Sequence, residues 1–317
     1  MKRSSSVLVS YASSDDDDTE KIEVKPIKKK RKLPALSSSL ITPVPKDNPA
    51  LHQGRVRTQP HVDGQFAAYV YVPVRVDRSS PLTGLLRDVL QHARSMVGIL
   101  HGMPGSLQAL MDESSDAADF SDTRRNDEPL ELHISLSRPL LLRAHQRDEL
   151  KRAVKGIAKD HTSFKASFAT FTDLTNDERT RTFLAMEVGA GHHELQSMCN
   201  ALTPVLRTLR QAEFYSSPRF HASLAWALLT PSEAVQQREP QADGPLLADQ
   251  ASTKLARPSS LANGTPEFPT IPHFQPGFLD VLNTKYGNSL ARLSASALDL
   301  ESISVKIGKD VASFRLA

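Results

Sequence analysis

The sequence predicts an α+β fold in two halves of similar content. Three observations predict it. Apolar residues recur at period two in some runs and at 3.6 spacing in others. In chain order the elements read β, α, β, α, β, β, α, β, α, β, β. That order divides into two halves, each with a helix followed by a histidine-bearing strand, which suggests a duplicated α+β layout.

The pattern begins at "QFAAYVYVPVRV" (residues 65–76), where Phe66, Tyr69, Tyr71 and Val74 sit among valines and alanines and make a first strand. Leu82, Leu85, Leu86, Val89, Leu90, Ala93, Met96, Val97 and Leu100 then follow helical spacing, so residues 81–100 form an amphipathic helix with proline near its start. After a polar loop, "LELHISLSRPLLL" alternates like a strand until Pro139 interrupts it. Leu150, Val154 and Ile157 carry a helix over residues 146–159. "SFKASFATFTDL" and "RTRTFLAMEV" are two strands joined by the polar turn "TNDE". Residues 193–210 form a helix that Pro204 should kink or restart. "FYSSPRFHASLAWALL" ends in a further strand, "FLDVLN" is a helix, and "SISVKIG" and "VASFRL" close the chain as a hairpin.

Two stretches carry no such period. Residues 1–59, with the acidic run Asp15 to Asp18 and the basic block "KPIKKKRKLP" (residues 25–34), are expected to be a disordered tail. The basic block has two readings, a nuclear import signal or a solvated arm attracted to RNA phosphates. Residues 231–270, with several prolines, are expected to be a disordered insert in a catalytic domain spanning residues 60–317.

Composition narrows the function. The 317 residues include 21 prolines and a single cysteine, Cys199, which excludes an intramolecular disulfide framework and a multi-cysteine zinc site and fits a reducing compartment. No run approaches the roughly 18 apolar residues that cross a bilayer, and the N-terminus is too acidic for a signal peptide. A soluble, intracellular protein without membrane attachment is expected. The net charge of +3 is too small to indicate nucleic-acid binding by itself.

The chemistry lies in two matched motifs. "LHISLSR" and "FHASLAW" share the order apolar, His, apolar, Ser, Leu, with His133 and His221 88 residues apart. Side chains alternate along a strand, so His133 and Ser135 point one way and Leu132, Ile134 and Leu136 the other; likewise His221 and Ser223 oppose Phe220, Ala222, Leu224 and Trp226. If the strands lie side by side, two imidazoles face one cleft. Attack of a ribose 2′-hydroxyl on its own phosphodiester needs a base for that proton and an acid for the departing 5′-oxygen, and two histidines supply both. Serine hydroxyls can donate to the non-bridging oxygens as charge develops. Such chemistry requires no metal. Composition alone yields roughly one His-x-Ser by chance, and a third copy, His161-Thr162-Ser163, lacks the apolar flanks and the strand pattern.

On these residues the chain resembles the 2H phosphodiesterase superfamily and, within it, the U6 snRNA phosphodiesterases. The likeness extends to "PHVDGQFAAYVYVPV", "TNDERTRTFLAMEV", "VKIGKDVASFRL" and the tail "LVSYASSDDDD". The resemblance implies two pseudo-symmetric lobes of antiparallel sheet, with flanking helices, around a central cleft; it also implies a catalytic pair of His133 and His221, phosphate contacts from Ser135 and Ser223, and Tyr215, six residues before His221, as the aromatic that stacks the terminal base. His221 is assigned as base and His133 as acid, an order the sequence does not fix. The resemblance implies a nuclear, monomeric, cofactor-free 3′–5′ exoribonuclease that trims the oligouridine 3′ end of U6 snRNA, leaving a 2′,3′-cyclic phosphate or a 3′-phosphate. Two rivals remain: another 2H-type cyclic phosphodiesterase or RNA-end processing enzyme, and a non-catalytic RNA-binding module. The adjacent His192 and His193 lack the carboxylates or thiols of a metal site. Arg179 and Arg181 have two readings, contact with phosphate or a solvated turn.

Overall fold

The computed structural model describes residues 48–56, 62–112, 129–230 and 268–317. The acidic and basic runs of the tail and residues 231–267 of the expected insert lie outside the described residues.

A mixed helical and antiparallel architecture results. The strands are β1 (Gln65–Val76), β2 (His101–Gly102), β3 (Leu130–Ser135), β4 (Leu140–Arg143), β5 (Phe164–Lys165), β6 (Phe168–Thr175), β7 (Arg181–Val188), β8 (His221–Leu228), β9 (Asp299–Leu300), β10 (Ser302–Ile307) and β11 (Asp310–Arg315). The main sheet runs β11-β10-β1-β3-β8-β7-β6, with β4 also on β1 and β2 also on β8, and β5 pairs with β9 separately. β3 and β8 meet at one registered pair, Ile134 opposite Ala222. This short seam divides the sheet into two lobes, β11-β10-β1-β3 and β8-β7-β6, each with a motif strand at its inner edge.

The helices are α1 (Pro81–Met96), α2 (Ser106–Asp112), α3 (Gln146–Asp160), α4 (His192–Thr208), α5 (Phe278–Leu282) and α6 (Asn288–Ala297); one π-helical turn, Asn283–Gly287, joins the last two. Ser80 caps α1, its hydroxyl accepting from the Leu82 N–H at 3.2 Å, and Pro81 opens the first turn. Leu82, Leu86, Val89, Leu90 and Ala93 are buried along one stripe. The helix stops at Met96, short of the predicted residue 100, because the backbone leaves helical geometry at Val97 (φ -128°, ψ 90°) ahead of Gly98; Leu100 still fills the core, from the approach to β2.

Pro204 does not restart α4: one helix spans His192–Thr208 with the proline inside. An interior proline costs about 3 kcal/mol. The buried stripe of Leu195, Met198, Cys199, Leu202 and Leu206 runs on both sides of it, at about 1.5–3 kcal/mol for each large apolar side chain buried, and outweighs that cost. The closing helix is longer than "FLDVLN" suggests, because Asn283 binds the β6 backbone across the π turn, accepting from Phe171 N–H at 2.8 Å and donating to Phe171 O at 2.9 Å. The expected tail also ends before residue 59. Pro49–His52 is a 3₁₀ turn, and Gly54, at φ 82°, approaches Leu228 so closely that a Cβ there would lie 2.5 Å from that side chain.

Candidate active site

The Ile134–Ala222 pair sets the geometry of the motifs. One residue to either side, the antiparallel register puts Ser135 opposite His221 and His133 opposite Ser223. Opposed residues share a face, so two imidazoles and two hydroxyls alternate diagonally across the seam. All four are half-buried, whereas Leu132, Ile134, Phe220, Ala222 and Leu224 behind them are buried in the core.

β1 and β10 extend this face. Tyr71 lies opposite Ser135, and Tyr69 opposite Lys306. The Tyr71 ring meets His133 edge-on at 5.7 Å, and the Tyr69 ring lies 6.1 Å from it. Burial is the main cause that holds the His133 imidazole below its usual range, with the nearby charges of His221 and Lys306 acting the same way. Burial also raises the Tyr69 and Tyr71 phenols, so both stay neutral donors.

His221 is oriented from behind. Its Nδ1 lies 2.6 Å from Arg219 O; a carbonyl only accepts, so the proton sits on Nδ1 and the lone pair on Nε2. Burial depresses this imidazole too, opposed by the hydrogen bond to Arg219 O and by Glu187. The Arg219 side chain is itself clamped. Its Nε donates to Glu187 Oε1 at 3.1 Å, and its Nη2 to Glu187 Oε2 at 2.6 Å and to Thr172 Oγ1 at 2.7 Å. This bidentate pair ties the lead-in of β8 to β6 and β7 and restricts the imidazole's position.

Tyr215 stands in the segment between α4 and β8. It is 47% exposed, enough ring for a base to lie against. Its hydroxyl donates to the Asp177 carboxylate, 3.0 and 3.1 Å from the two oxygens, and the Arg138 guanidinium lies 5.0 Å from the ring centroid while also pairing with Asp177. Arg138 follows the first motif and Asp177 lies in the β6–β7 turn, so this contact joins both lobes.

One predicted orientation is overturned. Trp226 does not point away from His221. β7 pairs regularly from Arg181 to Glu187, but Leu184 faces Ala225 while Ala185 faces Ser223, leaving Leu224 as an extra residue in β8. This β-bulge reverses the alternation. Beyond it Trp226 pairs with Phe183, on the same face as His221, Ser223, Ala185 and Glu187.

The third His-x-Ser copy behaves differently. His161 ends α3, its Nδ1 donating to Ile157 O at 2.8 Å and its Nε2 3.1 Å from Ser197 Oγ, so both ring nitrogens are satisfied structurally. His192 lies 3.2 Å from Pro218 O and packs on Phe220, bracing the approach to β8. Among the described residues no group of three or more His, Cys, Asp or Glu side chains is placed to hold a metal ion. Sequence reasoning missed Arg219, Glu187, Lys306, Arg138 and Asp177. Glu187 alone left a signal, a carboxylate in an otherwise apolar strand.

Fold and site together define a two-lobed α+β protein with paired His-x-Ser strands at the seam. The chain belongs to the HVSL family: the family model, described as an uncharacterised conserved protein, matches residues 31–315. It is similar to U6 snRNA phosphodiesterase 1 of Homo sapiens, 32% identical over 187 residues (58% of this chain and 59% of that one), and of Drosophila melanogaster, 29% identical over 231 residues (69% and 79%). The match thus spans under two thirds of the human relative's length. A solved structure of Kluyveromyces marxianus Usb1 with uridine monophosphate aligns with a TM-score of 0.38 and 12% identity, over 79% of this chain and 98% of that chain.

Proposed function

We propose that this protein is a 3′–5′ exoribonuclease that trims the oligouridine 3′ end of U6 snRNA by metal-independent transesterification. The observation that carries the proposal is the placement of His133 and His221 on adjoining strands of one face, each opposite a motif serine. Such a pair offers a base and an acid to one phosphodiester, with hydroxyls toward its non-bridging oxygens. The names of the human and fly relatives support U6 snRNA as the substrate.

His221, whose Nε2 lone pair is left free by the Nδ1–H bond to Arg219 O, takes the 2′-hydroxyl proton. The oxygen attacks phosphorus, and His133 in its imidazolium form protonates the departing 5′-oxygen. The remaining chain then ends in a 2′,3′-cyclic phosphate, or in a 3′-phosphate if water opens the ring. Tyr215 holds the terminal base by stacking, worth about 1–3 kcal/mol and tolerant of base identity. The protein works as a monomer in the nucleus, carried there by the basic block at residues 25–34.

The test is incubation with an oligouridine ending in a cis-diol, in EDTA, followed by end-group analysis. Stepwise shortening from the 3′ end to cyclic or 3′-phosphate ends is expected. Loss of activity with chelator would sink the mechanism, and binding without shortening would favour an RNA-binding module.

The proton roles make a separate prediction. Because Lys306 helps to depress His133, Lys306→Met should raise the His133 pKa. An acid with a raised pKa stays protonated to higher pH, so the alkaline limb of kcat/KM should move up while the acidic limb stays nearly in place. Upward movement of the acidic limb instead would make His133 the base.

A further inference from the structure

Beyond the motif serines, the bulge at Leu224 sets Trp226 on the same face of β8. The indole is 1% exposed, and its Nε1–H has no hydrogen-bond partner. His101, registered opposite it on β2, stacks on the ring at 4.8 Å. Arg55 and Arg181 both approach the same ring, their guanidinium carbons 5.4 and 6.0 Å from its centroid. Among the described residues neither guanidinium has a carboxylate within ion-pair distance, although Arg94, Arg138, Arg147, Arg207 and Arg219 do. The positive charges oppose one another: burial and then Arg55 depress Arg181, with Glu178 acting the other way more weakly, and burial, Arg94 and Arg55 depress His101.

Arg55 Nε donates to His52 O at 3.0 Å, but among the described residues two guanidinium groups, an imidazole and an unsatisfied indole N–H gather in one place with no carboxylate paired to them. Packing alone does not call for this; an aliphatic side chain would cover Trp226 without the repulsion. From Ser223 to Trp226 the distance along the strand is about 7–10 Å, room for the next nucleotide of a chain whose scissile phosphate lies at the histidines.

We propose that Arg55, Arg181 and His101, gathered on Trp226, form a phosphate subsite that holds an internal phosphodiester of the RNA strand adjacent to the scissile one. The proposal rests on the exoribonuclease reading for its ligand. It explains why the segment at Asn48–Val56 is folded against the domain: Arg55 comes from it, and Gly54 allows the close approach to Leu228. It favours the phosphate-contact reading of Arg181 over a solvated turn.

Trp226 is the single tryptophan, so intrinsic fluorescence reports this site directly. The probes are 2′-deoxy oligouridylates, which lack the attacking hydroxyl, and inorganic phosphate. A dinucleotide should leave the emission nearly unchanged, whereas longer oligomers should shift it and bind more tightly. Arg55→Gln and Arg181→Gln should each weaken long-oligomer binding about tenfold and lower the salt slope by about 0.7. Arg181→Lys should restore the slope, which a merely structural role would not predict, and thermal melts check that each variant folds. Silent Trp226 emission under saturating oligomer, with binding read by anisotropy, would overturn the subsite. So would a response to inorganic phosphate that oligomer cannot displace, since the site would then serve a free anion. Absence of trimming on a cis-diol oligouridine, with the Trp226 response intact, would instead sink the exoribonuclease reading and leave the subsite standing.

Discussion

His221→Ala and His133→Ala should each lower the rate of oligouridine shortening by about 10²–10⁴-fold, the usual contribution of a positioned general acid or base. The two losses should not add, because base and acid act in one displacement and the second removal has less catalysis left to remove. Stability should change little. Both imidazoles are half-buried, and neither replacement strands a buried ion: His221→Ala frees only Arg219 O, and His133→Ala removes ring contacts with Tyr69 and Tyr71. Single-turnover rates at several pH values, with a thermal melt of each variant, check this. A variant that is folded and fully active would show that its histidine takes no part.

Deleting Leu224 should be more damaging than any substitution at that position. Leu224 is fully buried, and losing a buried leucine side chain typically costs about 2–5 kcal/mol. Deletion also removes the extra residue, so one end of β8 must slip by one position against β7. A one-residue slip moves every side chain to the opposite face. Either Trp226 turns into the core with Leu228, or His221 and Ser223 turn away from His133. Leu224→Ala keeps the bulge and pays only the packing cost, so it should lose stability but retain most activity. Circular dichroism melts and trimming assays on both variants distinguish register from volume. If the deletion protein matches Leu224→Ala in stability and activity, the bulge does not set the orientation of Trp226.

Much of the fold was legible because its signals are local. The alternation in residues 65–76 and the 3.6-residue spacing in residues 81–96 record which face of each element meets the core, and that record is written in consecutive residues. The four motif residues were legible for the same reason, each pair lying two apart on a strand with apolar neighbours. That the helix runs on through Pro204 was not legible, because proline acts locally while the stripe that outweighs it acts through packing. Arg219, Lys306, Arg138 and Asp177 were not recoverable, since each gains its role from a partner on another element; Glu187 showed only as a carboxylate in an otherwise apolar strand.

The chain's own order of residues thus decided where strands and helices form and which side chains could do chemistry. It did not decide which of those side chains meet. The seam at Ile134 and Ala222, and the extra residue at Leu224 that brings Trp226 round to the histidines, depend on pairing between strands far apart in the chain. Register is a property of two strands together, set by the packing of both faces at once, and so it appears only when the chain has folded.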